Sequence, residues 1–286
     1  MRNPVNFRQV SRIRLTPDVV DGIVFWTKNP APMVKRLDEL KDFTYYFQFS
    51  ITPYGTDIEP NLPPKNTDLI TTFKRISEII GADRIIWRYD PILLSDKYNF
   101  DYHIKAFRKI AEKLHNYTRK VTISFIDTDY KGLKSNLSEL KLINFSHDTQ
   151  REMSAKLASI ASEFGLSIDT CAEKIDLSEF GVEQARCIDD RLFSKLLSCT
   201  FDAQKDRNQR LECGCISSVD IGMYNSCENG CLYCYANYNK NAIADNRAKH
   251  NPLSPLLFGE VGPNDKVSDR PVMVYRNSQV AFYEDE

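Results

Sequence analysis

Charge of one sign is what this sequence lacks. Its 38 Lys and Arg face 39 Asp and Glu, for a net charge of -1. A chain that works on nucleic acid draws most of its non-specific affinity from neutralised phosphates, so the balance argues against that class of partner. Arg84, Arg88, Arg119, Lys120, Lys131 and Lys134 are the basic residues that would line a groove, although such residues usually form a solvated surface. Long apolar runs are missing too. No stretch of about 18 apolar residues is available to span a bilayer, and residues 1–15, MRNPVNFRQVSRIRL, lack the apolar core of a secretory signal. The expected location is the cytoplasm, with no membrane partner. Histidine is scarce and scattered: His103, His115, His147 and His250 share no ligand spacing, which argues against mixed Cys/His zinc and leaves them as surface or cap residues.

Cysteine, by contrast, is plentiful, with eight residues. A disulfide framework is not expected in a reducing compartment, so cysteines that cluster point to metal binding or catalysis. Cys227, Cys231 and Cys234 form a C-x3-C-x2-C array with Tyr233 directly before the third. Three thiolates in one short loop bind three irons of a 4Fe-4S cluster and leave the fourth iron without a protein ligand. Radical S-adenosylmethionine (SAM) chemistry uses that open iron. It takes the amino and carboxylate groups of SAM, and one electron passed into the sulfonium releases a 5'-deoxyadenosyl radical. The protein's part is positioning and shielding. Structural zinc is the competing reading, with Cys213, Cys215 and two of the later three as ligands, but a C-x-C pair followed by C-x3-C-x2-C fits zinc-ribbon spacing poorly. Cys171, Cys187, Cys213 and Cys215 stand outside the main array. Four thiolates would close an auxiliary 4Fe-4S cluster, and the alternative is that Cys171 and Cys187 are ordinary buried cysteines. Cys199 is left over.

Short β-rich runs alternate with segments of helical period, the pattern of a parallel sheet or barrel. Strands are expected at 22–27, 45–52, 84–89, 120–126 and 167–172, and helices at 33–40, 67–80, 102–114 and 153–164. In such folds the loops at the C-terminal edge of the sheet carry the chemistry. Lys28, Ser50, Thr52, Arg88, Asp90, Asp127, Cys171 and Glu173 fall at those strand ends, where turn formers and helix caps also fall. The rhythm weakens from Asp176. Residues 1–198 are expected to form the βα portion, 199–250 a cysteine-rich segment completing the same domain, and 251–286, with Pro252, Pro255, Pro263 and Pro271, an extended tail.

Residues 210–237, RLECGCISSVDIGMYNSCENGCLYCYAN, resemble the C-terminal signature of an uncharacterised bacterial family of radical SAM-like proteins that carry the cluster motif at the end of the chain. FWTKNP at 25–30, TPYGTDIEPNLP at 52–63 and IWRYDPIL at 86–93 extend that resemblance over nearly the whole sequence. It implies a partial (βα) barrel of radical SAM type, circularly permuted, with 218–222 as the strand ahead of the cluster loop. It also implies a further N-terminal strand ending in a Ser-Arg-Arg-Thr-Asp type sequence, ahead of the first residue here. A more distant similarity is to spore photoproduct lyase, in Thr27-Lys28, Ser50-Ile51 and Glu59-Pro60. By that similarity Lys28 would contact the SAM carboxylate, a charge-assisted pairing, and Ser50 would lie beside the cofactor; an exposed strand-end lysine is the alternative for Lys28, and Tyr233, directly before the third cysteine, is a further cofactor-binding candidate.

The resulting expectation is an α/β radical SAM enzyme that abstracts hydrogen from an unidentified substrate. Glu173, Arg88, Asp90 and Asp127 are its candidate catalytic residues, and an electron donor such as flavodoxin or ferredoxin is its partner. Two alternatives stay open: a non-catalytic scaffold stabilised by zinc or a cluster, and a DNA-repair or nucleic-acid-modifying protein similar to spore photoproduct lyase. Fold alone does not choose among chemistries.

Overall fold

The computed structural model describes residues 1–3, 6–127 and 140–277; Lys131 and Lys134 lie outside them. Ten strands and five α-helices are labelled here in chain order. β1 is Gln9–Arg12, β2 Ile23–Thr27, β3 Tyr45–Ser50, β4 Ile85–Ile92, β5 Lys120–Phe125, β6 Ser167–Thr170, β7 Glu183–Gln184, β8 Thr200–Phe201, β9 Lys266–Asp269 and β10 Arg276–Asn277. The helices are α1 Ile70–Ile80, α2 Phe100–Leu114, α3 His147–Glu163, α4 Asp190–Leu197 and α5 Lys240–Ala248, with a 3-10 helix over Ala31–Leu40.

Six strands form one parallel sheet in sequential order, β2-β3-β4-β5-β6-β7. Alternation along each strand sends successive residues to opposite faces. Phe47, Phe49, Trp87, Tyr89, Val121 and Ile123 share one face and join Phe73, Phe107, Leu157 and Ala161 of the helices in the main core. Trp87 and Phe107 stack with ring centres 4.8 Å apart. Gln48, Arg88, Thr122 and Asp169 point the other way, and all four are buried. That polar inner face is covered by the 185–193 segment: Cys187 O accepts from Tyr46 Oη at 2.7 Å and Gln48 Nε2 at 3.1 Å, and Phe193 of α4 packs on Tyr46.

Helix starts follow their capping chemistry. Asn99, Ser146 and Asn239 each accept a bond from the backbone N–H three residues on, opening α2, α3 and α5. β4 runs past the expected stop at Asp90-Pro91 to Ile92, with a shift of register between Tyr89 and Ile92. Pro91 has no N–H to give the ladder, so the pairing skips it.

Two expectations need correction. Residues 218–222 are not a strand: Val219 and Ile221 are exposed, and no ladder includes them. Over 251–277, within the expected extended tail, two short strands form: β9 pairs in parallel with β1 and β10 antiparallel with β8. The Arg12–Asp269 and Arg2–Asp265 ion pairs fasten the first contact. No helix among the described residues is long and apolar enough to cross a membrane.

His103 is also not a surface residue. It is fully buried, with Nδ1 2.8 Å from Tyr89 Oη and Nε2 2.8 Å from Leu93 O. The carbonyl can only accept, so Nε2 carries the proton and Nδ1 accepts from tyrosine. Burial lowers the folded pKa to about 4 from 6.5. The unfolded chain therefore takes up a proton that the folded one refuses. The contribution is complete above pH 6.5 and is lost as the pH falls from there towards 4, amounting to roughly 3 kcal/mol. Urea titrations across that range should show a steep loss of stability in the wild type and a flatter one in His103→Gln. Equal slopes would contradict the assignment.

Candidate functional site

The cysteine loop sits on the segment that follows β3. Leu232 N donates to Ile58 O at 3.0 Å, Asn61 N to Asn229 O at 3.3 Å, and Asn61 Nδ2 to Glu228 O at 2.7 Å. Gly230 has φ 67°, and a Cβ there would come within 3.1 Å of Asn61 Nδ2 and 3.2 Å of Pro60 Cγ, so glycine is what allows the turn to close on its seat. Asn237 braces the other side. Its Oδ1 accepts from the backbone N–H groups of Ser226 and Cys227 at 2.8 and 2.9 Å, and its Nδ2 lies 3.4 Å from Cys234 Sγ. Cys231 and Tyr233 are buried with Tyr54, Ile58, Leu93 and Tyr98, and Cys234 packs against this cluster.

Below the loop is a charged centre. Glu59, with a fully buried side chain, takes bonds on Oε1 from Thr52 Oγ1 at 2.7 Å and from Tyr233 Oη, and on Oε2 from Lys65 Nζ. Lys28 Nζ is 3.0 Å from Glu59 Oε1 and 5.2 Å from the centre of the Tyr233 ring. Burial opposes ionisation of Glu59, but Lys28, Lys65 and the hydrogen bonds outweigh it and hold the carboxyl at about 2. The Lys28 ammonium is buried, close enough to Glu59 to pair by charge, and without an aligned hydrogen bond. Burial pushes the Cys231 thiol up to about 12, with the Lys28 charge pulling it down. Burial also raises Cys227.

The remaining candidates line the neighbouring strand ends. Arg88 Nε donates to Asp90 Oδ2 at 2.9 Å, and Ser124 Oγ donates to Asp90 Oδ1. Burial works against the Asp90 carboxylate, but Arg88 and Ser124 keep it below its usual range. Glu173 Oε1 accepts from Phe125 N at 2.8 Å, and burial raises this carboxyl to about 7. Asp127 pairs with Arg210 at 2.9 Å. Ser50 is opposite Arg88 in the β3–β4 ladder. Lys28 acts electrostatically on Asp90 as well as on Cys227 and Cys231, which links the cysteine loop to the strand-end group.

Of the basic residues expected to line a groove, Arg88 is buried inside, Lys120 pairs with Asp169 at 2.8 Å, and Arg119 and Lys120 line one groove with Arg191 and Lys195. A groove of about 460 Å³ lined by Lys120, Ser167, Asp169, Glu183 and Arg191 opens at the N-terminal edge of the sheet and contains no cysteine. Sequence reasoning gave no role to Glu59, Lys65, Asn61 or Asn237. The first three lie in or just beyond TPYGTDIEPNLP, a segment whose polar density was a usable signal, whereas nothing in the local sequence marked Asn237.

Cys171, Cys187, Cys213 and Cys215 also meet. The last three are buried with Ala185 in one cluster, Cys171 packs against it, and its Sγ is 3.4 Å from that of Cys187. All eight cysteines are free thiols. Among the described residues, no three Cys, His, Asp or Glu side chains are already drawn into one metal-sized coordination sphere.

These features define a parallel α/β protein whose C-terminal sheet edge is capped by a three-cysteine loop over a buried lysine–carboxylate centre. The chain belongs to the family described as Domain of unknown function (DUF1848), whose model matches residues 1–236. No curated protein matches it.

Proposed function

We propose that this protein is a radical SAM enzyme on a partial, permuted (βα) barrel. The observation that carries the reading is the seating of the three-cysteine loop on residues 58–61, with its Tyr233 against the Glu59 carboxylate that pairs with the buried Lys28 ammonium, at the sheet edge where parallel folds place their chemistry. The sequential order of the parallel strands supports the barrel, and the place of the cysteine loop after those strands in the chain is what the permutation requires.

The residues fit the cofactors. Cys227, Cys231 and Cys234 supply three soft donors for a 4Fe-4S cluster, and the unaligned N–H groups of Lys28 suit an anionic group such as the SAM carboxylate. When bound, the reduced cluster supplies the electron that splits SAM into methionine and a 5'-deoxyadenosyl radical. Cys231 must surrender its thiol proton to bind iron, so loading of the loop is coupled to proton release. Glu59 and Tyr233 hold Lys28 in place, and Ser50 stands on the adjacent strand end. Arg88, Asp90, Asp127 and Glu173 border the mouth at which a substrate would present its hydrogen, and the electron comes from a donor such as flavodoxin or ferredoxin.

Anaerobic reconstitution with iron and sulfide tests the reading. It should give a brown protein that, once reduced, converts SAM into 5'-deoxyadenosine. A colourless protein that takes up zinc alone and leaves SAM intact would overturn it.

A further inference from the structure

The second group of cysteines is assembled by contacts that the first site does not use. Cys171 follows β6 directly, its N–H donates to Ile123 O at 2.9 Å, and Ala172 turns the chain away at φ 53°. Cys187 is fixed over the inner face of the sheet by the Tyr46 and Gln48 bonds to its carbonyl. The Cys213-Gly214-Cys215 turn then lies flat against the 185–188 strand end. Ile216 N donates to Ile188 O at 3.2 Å, and Ile188 N points at Cys215 Sγ from 3.4 Å. A Cβ on Gly214 would stand 2.9 Å from Ala185 O and 3.0 Å from Arg186 Cγ. Only glycine lets the C-x-C turn approach this closely.

Donors are aimed at these sulfurs. Arg88 Nη1 is 2.9 Å from Cys187 Sγ, and the buried guanidinium has Asp90 as its carboxylate partner. A thiol is a weak acceptor, whereas a thiolate beside a guanidinium makes a charge-assisted bond. Cysteines that merely fill a core need neither an arginine nor a backbone N–H directed at sulfur.

We propose that Cys171, Cys187, Cys213 and Cys215 are the ligands of a second metal centre, a four-thiolate site for a single tetrahedral ion such as zinc. Four sulfurs at about 2.3 Å from a zinc ion stand about 3.8 Å apart, which is the order of the 3.4 Å contact between Cys171 and Cys187. In a 4Fe-4S cluster each sulfur binds a different iron and the four stand farther apart, so this contact favours a single ion over the auxiliary cluster expected from sequence. Four thiolates around a divalent ion carry a net negative charge, which Arg88 faces. The ion ties the 199–216 segment to β6 and to the 185–188 strand end, and its binding energy becomes folding energy. The inference stands whether or not the loop at 227–234 binds a cluster.

The full chain carrying Cys227→Ala, Cys231→Ala and Cys234→Ala separates the two sites. Purified from zinc-supplemented medium and dialysed against a mild chelator, it should retain about one zinc per chain. Adding Cys213→Ala and Cys215→Ala should remove that zinc, while Cys199→Ala leaves it in place. Because the quintuple variant can fail to fold, the triple variant is also loaded with cobalt. Intense sulfur-to-cobalt absorption of a tetrahedral four-thiolate ion supports the proposal. Retention of no metal, an octahedral cobalt spectrum, or a protein that binds about four irons with sulfide at this second site would overturn it.

Discussion

Replacing Glu59 with glutamine is expected to destabilise the folded chain by about 3–5 kcal/mol, the usual consequence of leaving a buried charge without its partner. Glu59 is the only acid in contact with both Lys28 and Lys65 among the described residues, and the side chains of those lysines are 14% and 19% exposed. Water can therefore compensate little of the lost pairing. The amide can still accept from Thr52, so size and part of the bonding survive and the effect isolates the charge. Urea denaturation at neutral pH should show the loss as a lower midpoint. A second change, Lys65→Met, should recover part of it in the Glu59→Gln background while destabilising the wild type, the non-additivity of residues in one network. A loss below about 1 kcal/mol, the range of an exposed pair, would show that the lysines reach solvent and that the centre is not the foundation of the loop.

The second large effect concerns the loop itself. Cys231→Ala should cut the iron bound at this loop after anaerobic reconstitution from about four per chain to a residue indistinguishable from the triple variant, and should abolish 5'-deoxyadenosine formation. Cys231 is the most buried of the three loop thiols and is packed with Tyr54 and Ile58. Two remaining thiolates on an exposed turn cannot hold a cube against hydrolysis. Cys199→Ala provides the control, because Cys199 belongs to neither cysteine group. Undiminished iron in Cys231→Ala would mean that the metal is held elsewhere.

The parts of this molecule legible in the sequence are those set by local pattern. Val, Ile and aromatic runs between turn residues placed β2 to β6, and apolar spacing placed α1 and α2 within three residues of their observed ends, while α3 begins six residues ahead of its expected start. The C-x3-C-x2-C spacing located the loop because its three cysteines are neighbours in the chain. What the sequence hid depends on contacts between distant residues. Glu59 looks like any acid in a polar loop until Tyr233, far along the chain, covers it. His103 carries no sign that Tyr89 and Leu93 will enclose it. The strand expected at 218–222 did not form because Val219 and Ile221 have no partner edge to pair with, so β-propensity had no packing to support it. In the other direction, β9 pairs with β1 through ion pairs between opposite ends of the chain, which no local window reveals.

The most direct test of the central claim is a Mössbauer spectrum of the protein reconstituted with labelled iron, recorded with and without SAM. Three cysteine ligands predict one iron of the cluster distinct from the other three, and a change in that iron alone when SAM is added. Four equivalent irons, or a spectrum that SAM does not alter, would contradict the account.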